Sequence, residues 1–338
     1  MYPITNISYS FDVATDWGLD PNAMYPIKIL CVPAMCTKNG HFAYQEFEFG
    51  QYDLVVISDI EYFRQSEIHQ WIKENNIKNY VLALGGLHPG TELLSNELYR
   101  PWWSFNLLKF NQQETSSQSP EFDFDCLLGA RRPHRDFAML ALQHTGLINT
   151  SIATYRDFFH GATVNNQNQE FANMFPEQTL NFPYVSDNLN PAWEVNQPLD
   201  RSISPYMPWN IYHRCRYSIV CETLGTGDCF FMSEKTAKAI FAGRVFLMFS
   251  NKDFLSNLRS LGFETFGSVI DESYDSNPLD FERFTLIMQQ MTWLAEQDYS
   301  QVMAKLKPVI EHNKNRLFEL QKEKQSQMKL LLDHKLKS

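Results

Sequence analysis

The segment with the clearest chemical content runs from Glu222 to Lys235. A short apolar strand is predicted over 218–221, and it delivers Glu222 to the carboxyl edge of a sheet. A turn with two glycines then leads into a predicted helix whose N-cap is Ser233. The free N–H groups of the helix start, the helix dipole and the Lys235 ammonium would share one crevice, which suits a diphosphate.

Two interpretations of this segment remain open on spacing alone. Glu222 or Glu234 could accept hydrogen bonds from the ribose or sugar hydroxyls of a ligand. A capped helix with acidic residues in its first turn also needs no ligand at all. The spacing therefore indicates an anion site without requiring one.

The same stretch resembles the donor-binding motif of fucosyltransferases of the α-1,3 type. In that family an aromatic-Glu-Asn segment is followed, after a short gap, by Tyr-Val-Thr-Glu-Lys and a helix. Here Glu222 resembles the glutamate of the first part, and 231–235 resembles the second part. The resemblance implies that Glu234 holds the ribose or sugar of a nucleotide-sugar donor and that Lys235 holds its phosphate.

The likeness continues downstream, where the chain is similar to C-terminal domains of related GT-B transferases. It rests on the segments 243–248, 258–266 and 271–275. Two residues depart from the family pattern, since Thr223 replaces the asparagine and Phe231 replaces the tyrosine, and the gap between the two parts is longer. These departures leave the identity of the sugar open.

A second group of candidate residues consists of arginines between a predicted strand at 122–129 and a predicted helix that ends near His144. Arg131, Arg132 and Arg135 could clamp a pyrophosphate through bidentate hydrogen bonds. Related transferases place an arginine at a similar point, so the resemblance implies that Arg131 or Arg135 binds the diphosphate. The alternative is a solvated basic turn.

A catalytic base is expected in the N-terminal half. An inverting transfer, which only the resemblance implies, needs a group that removes the proton of the acceptor hydroxyl. Asp59 and Glu61 follow one predicted strand, and His88 follows the next strand within a glycine-rich turn at the same sheet edge. We predict that one of these three is the base, although each could instead be structural.

Alternating strands and helices predict an α/β fold. Continuous apolar runs are typical of buried strands in a parallel sheet, and they occur at 27–32, 53–58 and 80–84. The alternation resumes from Tyr217. We therefore predict two Rossmann-like domains that face a cleft, the GT-B arrangement, with C-terminal helices.

The predicted domains have different roles. An N-terminal acceptor-side domain occupies 1–115, and a C-terminal donor domain occupies 120–300. The donor domain carries an aromatic insertion, rich in Asn, Gln and Pro, at 160–212. A helical extension follows at 301–338, and we expect an interruption near Pro308.

The composition excludes several other classes of protein. The 338 residues are 44% hydrophobic and 20% charged, as in an ordinary globular protein. No apolar run approaches the roughly 18 residues that cross a bilayer, and no signal peptide precedes the first strand, so a cytoplasmic location is expected, in a host if the chain is viral. The six cysteines lack metal-site spacing, so no metal and no cofactor besides the nucleotide-sugar substrate is predicted. No P-loop and no GxGxxG motif is present.

The acceptor is the least defined partner. A glycan is the usual acceptor of similar enzymes, and a hydroxymethylated base in phage DNA is the second option. The net charge of −10 argues against broad nucleic-acid binding, although 305–338 carries nine Lys/Arg against four Asp/Glu. DNA would be favoured if this tail and four other cations lined one groove, namely Arg100, Lys109, Arg131 and Arg132. A non-catalytic nucleotide-sugar or glycan-binding module on the same fold is the alternative to an enzyme, and the oligomeric state stays open.

Overall fold

The computed structural model describes residues 1–6, 13–34, 48–60, 63–101, 119–129, 131–155, 173–178, 184–185 and 207–337. Two candidate residues, Glu61 and Lys109, and most of the predicted insertion at 160–212 lie outside the described residues. The chain divides into two compact units. Unit 1 comprises Met1–Trp103, Cys229–Phe231 and Glu319–Ser338, and unit 2 comprises Ser104–Asp228 and Met232–Phe318. The predicted acceptor and donor domains, with their boundaries, stay predictions.

The strands of unit 1 are β1 (Tyr2–Pro3), β2 (Thr5–Asn6), β3 (Met24–Tyr25), β4 (Ile29–Ala34), β5 (Leu54–Asp59), β6 (Tyr80–Leu84) and β7 (Glu97–Tyr99). Five of them form a parallel sheet in the order β2-β4-β5-β6-β7, while β1 and β3 form a separate antiparallel pair. Strands β4 and β5 are buried along their whole length, which explains their continuous apolar runs. Each successive strand lies beside the previous one, so the order does not reverse among these strands.

The strands of unit 2 are β8 (Phe122–Leu127), β9 (Ser151–Tyr155), β10 (Tyr184–Val185), β11 (Cys215–Cys221) and β12 (Phe246–Phe249). The sheet order is β10-β9-β8-β11-β12, and all neighbours are parallel except β10 with β9. The chain runs outward from β8 to β9 on one side and from β11 to β12 on the other. The strand order therefore reverses between β8 and β11, which makes this a topological switch point.

The helices are α1 (Val13–Asp16), α2 (Gln65–Glu74), α3 (Pro133–His144), α4 (Trp209–Tyr212), α5 (Glu234–Phe241), α6 (Phe254–Ser260), α7 (Asp280–Ala295) and α8 (Tyr299–Lys337). Short 3-10 helices lie at Phe49–Gln51, Leu147–Thr150 and Ser273–Ser276. In the described part of the chain, no helix combines the length and the apolar character that crossing a membrane requires. The predicted fold class, α/β with two Rossmann-like sheets and C-terminal helical structure, is confirmed.

Each unit has its own apolar core. In unit 1, one side of the sheet packs against α2 through Ile68 and Trp71, and the other side packs against α1 and the end of α8, where Met328 and Leu332 are buried. In unit 2, an aromatic cluster joins helices to the sheet. The Phe137 ring of α3 lies 6.2 Å from that of Phe249 in β12 and 5.6 Å from that of Phe284 in α7.

The expected interruption near Pro308 is wrong, because α8 continues through that proline. An interior proline removes one backbone hydrogen bond and costs about 3 kcal/mol. Buried apolar residues on both sides of it, among them Leu306 and Leu317, each 0% exposed, keep the helix continuous. Tertiary packing thus outweighs the local preference.

Candidate anion-binding site

The topological switch point of unit 2 lies at the carboxyl ends of β8 and β11. In open α/β sheets this is where ligands bind, because the connecting segments diverge and leave a crevice. The chain leaves β8 to enter α3 and leaves β11 to enter α5, so both helices begin at this edge. Their N-caps are Arg132 and Ser233.

Glu222, the residue after β11, joins the two helix starts. Its side chain is fully buried, and its Oε1 accepts hydrogen bonds from the Ser233 N–H (3.0 Å) and the Thr236 hydroxyl (2.5 Å). Its Oε2 accepts from the Thr223 N–H at 2.9 Å. Because both oxygens are engaged within the protein, this carboxylate positions the start of α5 and presents no open face to a ligand.

Ser233 and Lys235 form the polar surface at the start of α5. The Ser233 hydroxyl caps the helix by accepting from the Lys235 N–H at 3.2 Å. The Lys235 ammonium lies 2.9 Å from the Glu234 carboxylate and 3.3 Å from both the Thr223 and Ser233 hydroxyls. Its side chain keeps 26% exposure, so a ligand in the crevice can still reach it.

Glu234 is held in its ionised form. Burial opposes its negative charge, but the ammonium groups of Lys235 and Lys238 outweigh burial and lower the pKa of Glu234 to about 2. For Lys238 the balance is reversed, because burial lowers its pKa to about 8 despite the attraction of Glu234. The carboxylate is therefore a permanent acceptor at neutral pH, with a side chain 10% exposed.

The three arginines before and within α3 have different environments. The Arg131 guanidinium, just before α3, is bound to the buried Asp136 in the first turn of that helix, with Nη2 to Oδ2 at 2.9 Å. Arg135 is buried, and its Nη2 donates to the Glu222 carbonyl at 3.2 Å. Burial and the neighbouring Arg132 lower the pKa of Arg135 to about 10.

Arg132 belongs to the predicted pyrophosphate clamp, although the resemblance implied only Arg131 or Arg135. It is half-buried, and within the described chain its buried Nε has no hydrogen-bond partner. Two positive guanidinium groups, those of Arg132 and Arg135, thus lie close enough to repel each other at the switch point. An anion in the crevice would relieve this repulsion.

His134 and Gly225 form a pair that sequence reasoning missed. The buried imidazole of His134 donates its Nε2 hydrogen to the Glu222 carbonyl at 2.8 Å. Burial and the adjacent Arg135 lower the pKa of His134 well below its ordinary value, so the ring is neutral. A Cβ on residue 225 would lie 2.0 Å from the His134 Cγ, so the ring occupies the space that any other residue at this turn would need. The signal in the sequence was a glycine in the turn that follows a strand.

The predicted base candidates lie in unit 1, at the carboxyl ends of β5 and β6. Asp59 is buried, and its Oδ2 accepts from the Gly85 N–H at 3.1 Å. His88 follows in the same turn, is half-buried, and its backbone N–H donates to the Thr91 hydroxyl at 3.3 Å. Asp59 thus holds the turn that carries His88, while Glu61 lies outside the described residues.

The acidic segment downstream of α6, part of the family resemblance, has a structural role. Asp275 caps α6, because its two carboxylate oxygens accept from the Leu255 N–H (2.8 Å) and the Ser256 N–H (2.9 Å). Glu272 accepts from the Phe266 N–H at 2.7 Å and so closes the turn before it. Both carboxylates therefore accept hydrogen bonds from backbone N–H groups of unit 2.

The described part of the chain holds no group of three or more His, Cys, Asp or Glu side chains that could bind a metal ion. What the switch point does offer is positive charge. Two helix N-termini, Lys235, Arg132 and Arg135 gather there, in a place where part of the charge is shielded from water. The arrangement can bind an anion with several oxygens, such as a phosphate chain.

No family model and no curated protein sequence matches this chain. Among solved structures, the chain is similar to the T4 phage protein BGT in complex with UDP and Mn2+, at 10% sequence identity and a TM-score of 0.40, over 97% of this chain and 99% of that chain.

Proposed function

We propose that this protein is a glycosyltransferase that binds a nucleotide-sugar through unit 2 and transfers the sugar to an acceptor hydroxyl. The observation that carries the proposal is the concentration of positive charge at the topological switch point. Arg132, Arg135 and Lys235 would neutralise the diphosphate of the donor. The ionised Glu234 would accept hydrogen bonds from ribose or sugar hydroxyls.

The proposed chemistry follows from the position of the charges. The acceptor oxygen attacks the anomeric carbon, the bond from that carbon to the diphosphate oxygen breaks, and the acceptor proton passes to a base. Negative charge then develops on the departing diphosphate, where fixed cations and helix N-termini stabilise it most. Inversion at the anomeric carbon and the GT-B arrangement of two domains around a cleft belong to this proposal through the family resemblance.

Among the predicted bases, the surroundings favour His88. Asp59 is 1% exposed and already engaged with Gly85, whereas His88 is only half-buried. Glu61 stays a candidate outside the described residues. Loss of transfer in His88→Ala, with unchanged donor affinity, is the expected sign of the base.

The acceptor is proposed as a glycan, with a hydroxymethylated base in DNA as the second candidate. One cation expected in a DNA groove is not available for it, since Arg100 is buried and bound to Asp16. Transfer assays with oligosaccharides and with hydroxymethylated duplex DNA separate the two. Under the DNA hypothesis, binding must fall steeply as salt rises.

A thermal-shift panel of nucleotides and nucleotide-sugars tests the donor site. Saturation at about 100 times the dissociation constant adds roughly 2.7 kcal/mol of stability. Lys235→Ala is expected to weaken the best ligand at least tenfold, because charge-assisted hydrogen bonds contribute about 1.5–3 kcal/mol. The matched control is Lys307→Ala, which removes a lysine that is 73% exposed on α8.

The outcomes distinguish the hypotheses. If no nucleotide stabilises the protein, the proposed function is wrong. If Lys235→Ala behaves like Lys307→Ala, the site is misplaced. The non-catalytic alternative predicts that the wild-type protein binds the donor but neither hydrolyses it slowly nor transfers its sugar to any acceptor.

A further inference from the structure

The turn that follows β11 is held through its carbonyl groups. The Leu224 carbonyl accepts a hydrogen bond from the Ser250 hydroxyl at 3.0 Å. The next carbonyl, that of Gly225, accepts from Nη2 of Arg283 at 3.1 Å. Ser250 and Arg283 are both buried, at 2% and 1% exposure, so these anchors belong to the rigid interior of unit 2.

The two anchors lie together, which fixes the direction of both peptide units. Nε of Arg283 donates to the Ser250 carbonyl at 3.0 Å, so the guanidinium and the serine are direct neighbours. The Leu224 and Gly225 carbonyls therefore point to the same side. In a trans peptide the N–H points opposite to the preceding C=O. The N–H groups of Gly225 and Thr226 consequently point together to the other side.

These two N–H groups have no hydrogen-bond partner among the residues that the structure describes. Gly225 is buried and Thr226 is half-buried, so water does not fully compensate for the missing partners. An unsatisfied buried donor is unfavourable, and a ligand oxygen that accepts from it removes that cost. Consecutive N–H groups that face one side form a concave anion-binding nest.

A cation lies beside this pair. The Lys235 ammonium is 3.3 Å from the Thr223 hydroxyl, two residues before Gly225 along the turn. We propose that the N–H groups of Gly225 and Thr226 form a backbone subsite for one phosphate of a nucleoside diphosphate. This proposal rests on the proposed function only in saying that the bound phosphate belongs to a nucleotide. The binding of an anion follows from the two N–H groups of the turn.

The subsite adds a source of specificity that the cations do not supply. Flexible cationic side chains accept many anions, whereas two fixed N–H groups require an oxygen at one position. A diphosphate can meet the side-chain cations with one phosphate and the turn with the other. A nucleoside monophosphate would leave one of the two unoccupied, and it therefore binds more weakly.

Inorganic pyrophosphate tests the subsite without any assumption about the base or sugar. Thr226→Pro removes the Thr226 N–H, and Thr226→Ala keeps it while also removing the side-chain hydroxyl. By isothermal titration we expect pyrophosphate to bind Thr226→Pro at least tenfold more weakly than Thr226→Ala. Equal affinities of the two variants, or no binding of pyrophosphate to the wild-type protein, would overturn the proposal.

A measurement on the wild-type chain guards against a folding defect in the proline variant. With 15N-labelled glycine and threonine, the amide resonances of Gly225 and Thr226 should shift on addition of pyrophosphate. Unmoved resonances at saturation refute the subsite, whatever the variants do.

The nucleotide panel separates this proposal from the proposed function. If nucleotides bind but Thr226→Pro binds them as well as Thr226→Ala does, the function stands and the subsite is wrong. If pyrophosphate binds through the two amides but no nucleotide binds, the subsite stands and the function is wrong.

Discussion

Replacing Gly225 with alanine should disturb the turn after β11 through a single contact. The new Cβ would lie 2.0 Å from Cγ and 2.1 Å from Nδ1 of His134, far inside van der Waals contact. The backbone itself accepts alanine, because Gly225 is not among the glycines with positive φ. The imidazole must therefore move, and its hydrogen bond to the Glu222 carbonyl breaks.

The size of the effect follows from these two losses. Overpacking a buried site costs about 1–3 kcal/mol, and a lost hydrogen bond adds about 1 kcal/mol. We expect Gly225→Ala to lower the free energy of unfolding by about 2–4 kcal/mol. For a domain of this size each kcal/mol moves the midpoint by about 2–4 °C, so the unit 2 transition in calorimetry should fall by roughly 5–15 °C.

A double-mutant cycle with His134→Ala isolates the contact. Without the imidazole the new methyl group has room, and alanine at a compatible φ stabilises by about 0.4–1 kcal/mol through the unfolded chain. Gly225→Ala should then be neutral or slightly stabilising in the His134→Ala background, a coupling of at least about 2 kcal/mol. If Gly225→Ala costs the same in both backgrounds, the assigned role of the pair is wrong.

Three further predictions concern the surroundings of the site. Arg131→Ala should leave nucleotide affinity within about twofold, because that side chain is bound to Asp136, whereas Arg132→Ala should weaken it about tenfold in the same titration. Asp275→Ala removes the cap of α6 and should cost about 1–2 kcal/mol in urea unfolding with no change in nucleotide affinity. The lowered pKa of Glu234 contributes stability that is complete above pH 4.5 and lost as pH falls towards 2, so Glu234→Gln should destabilise by on the order of 3 kcal/mol at pH 7 and much less at pH 2.5. If the difference in free energy of unfolding between the wild type and Glu234→Gln does not decrease at low pH, the assigned ion pairs are wrong.

Much of the fold was predictable because its signals are local. The buried strands of unit 1 are short apolar runs between polar turns, and β6 was predicted at its observed bounds. The start of α5 could be predicted equally well, since a serine before a helical pattern is a direct N-cap signal. Pro308 shows the limit of local rules, because its helix is maintained by apolar contacts distant in sequence.

The candidate site was predictable only in part, because its internal contacts join distant segments. Lys235 was predicted through its place at a helix start. Glu222 was recognised too, but as a group facing a ligand; its burial depends on α5 folding back over it. His134 escaped notice because its partner, the Glu222 carbonyl, is 88 positions away.

The choice among the arginines depended on one side-chain contact. Arg131 and Arg135 were favoured by the resemblance, and nothing in their spacing distinguishes them from Arg132. The structure separates them through Asp136, which engages Arg131, and through burial, which encloses Arg135. An aspartate in the first turn of the following helix was visible in the sequence and could have indicated that one arginine was already engaged.

Unit 1 is formed by three segments of the chain that are synthesised at very different times. Its sheet comes from the first hundred residues, yet Val13 and Trp17 share a core with Met328 and Leu332. The Phe230 N–H and carbonyl pair with the backbone of Leu87, so a short piece from mid-chain is also required. During synthesis the early strands must therefore wait, with one apolar face covered only in part by α1, until the last turns of α8 emerge. Unit 2 needs no residue beyond Phe318, so its fold can be complete while the first-made part of the chain is still unfinished.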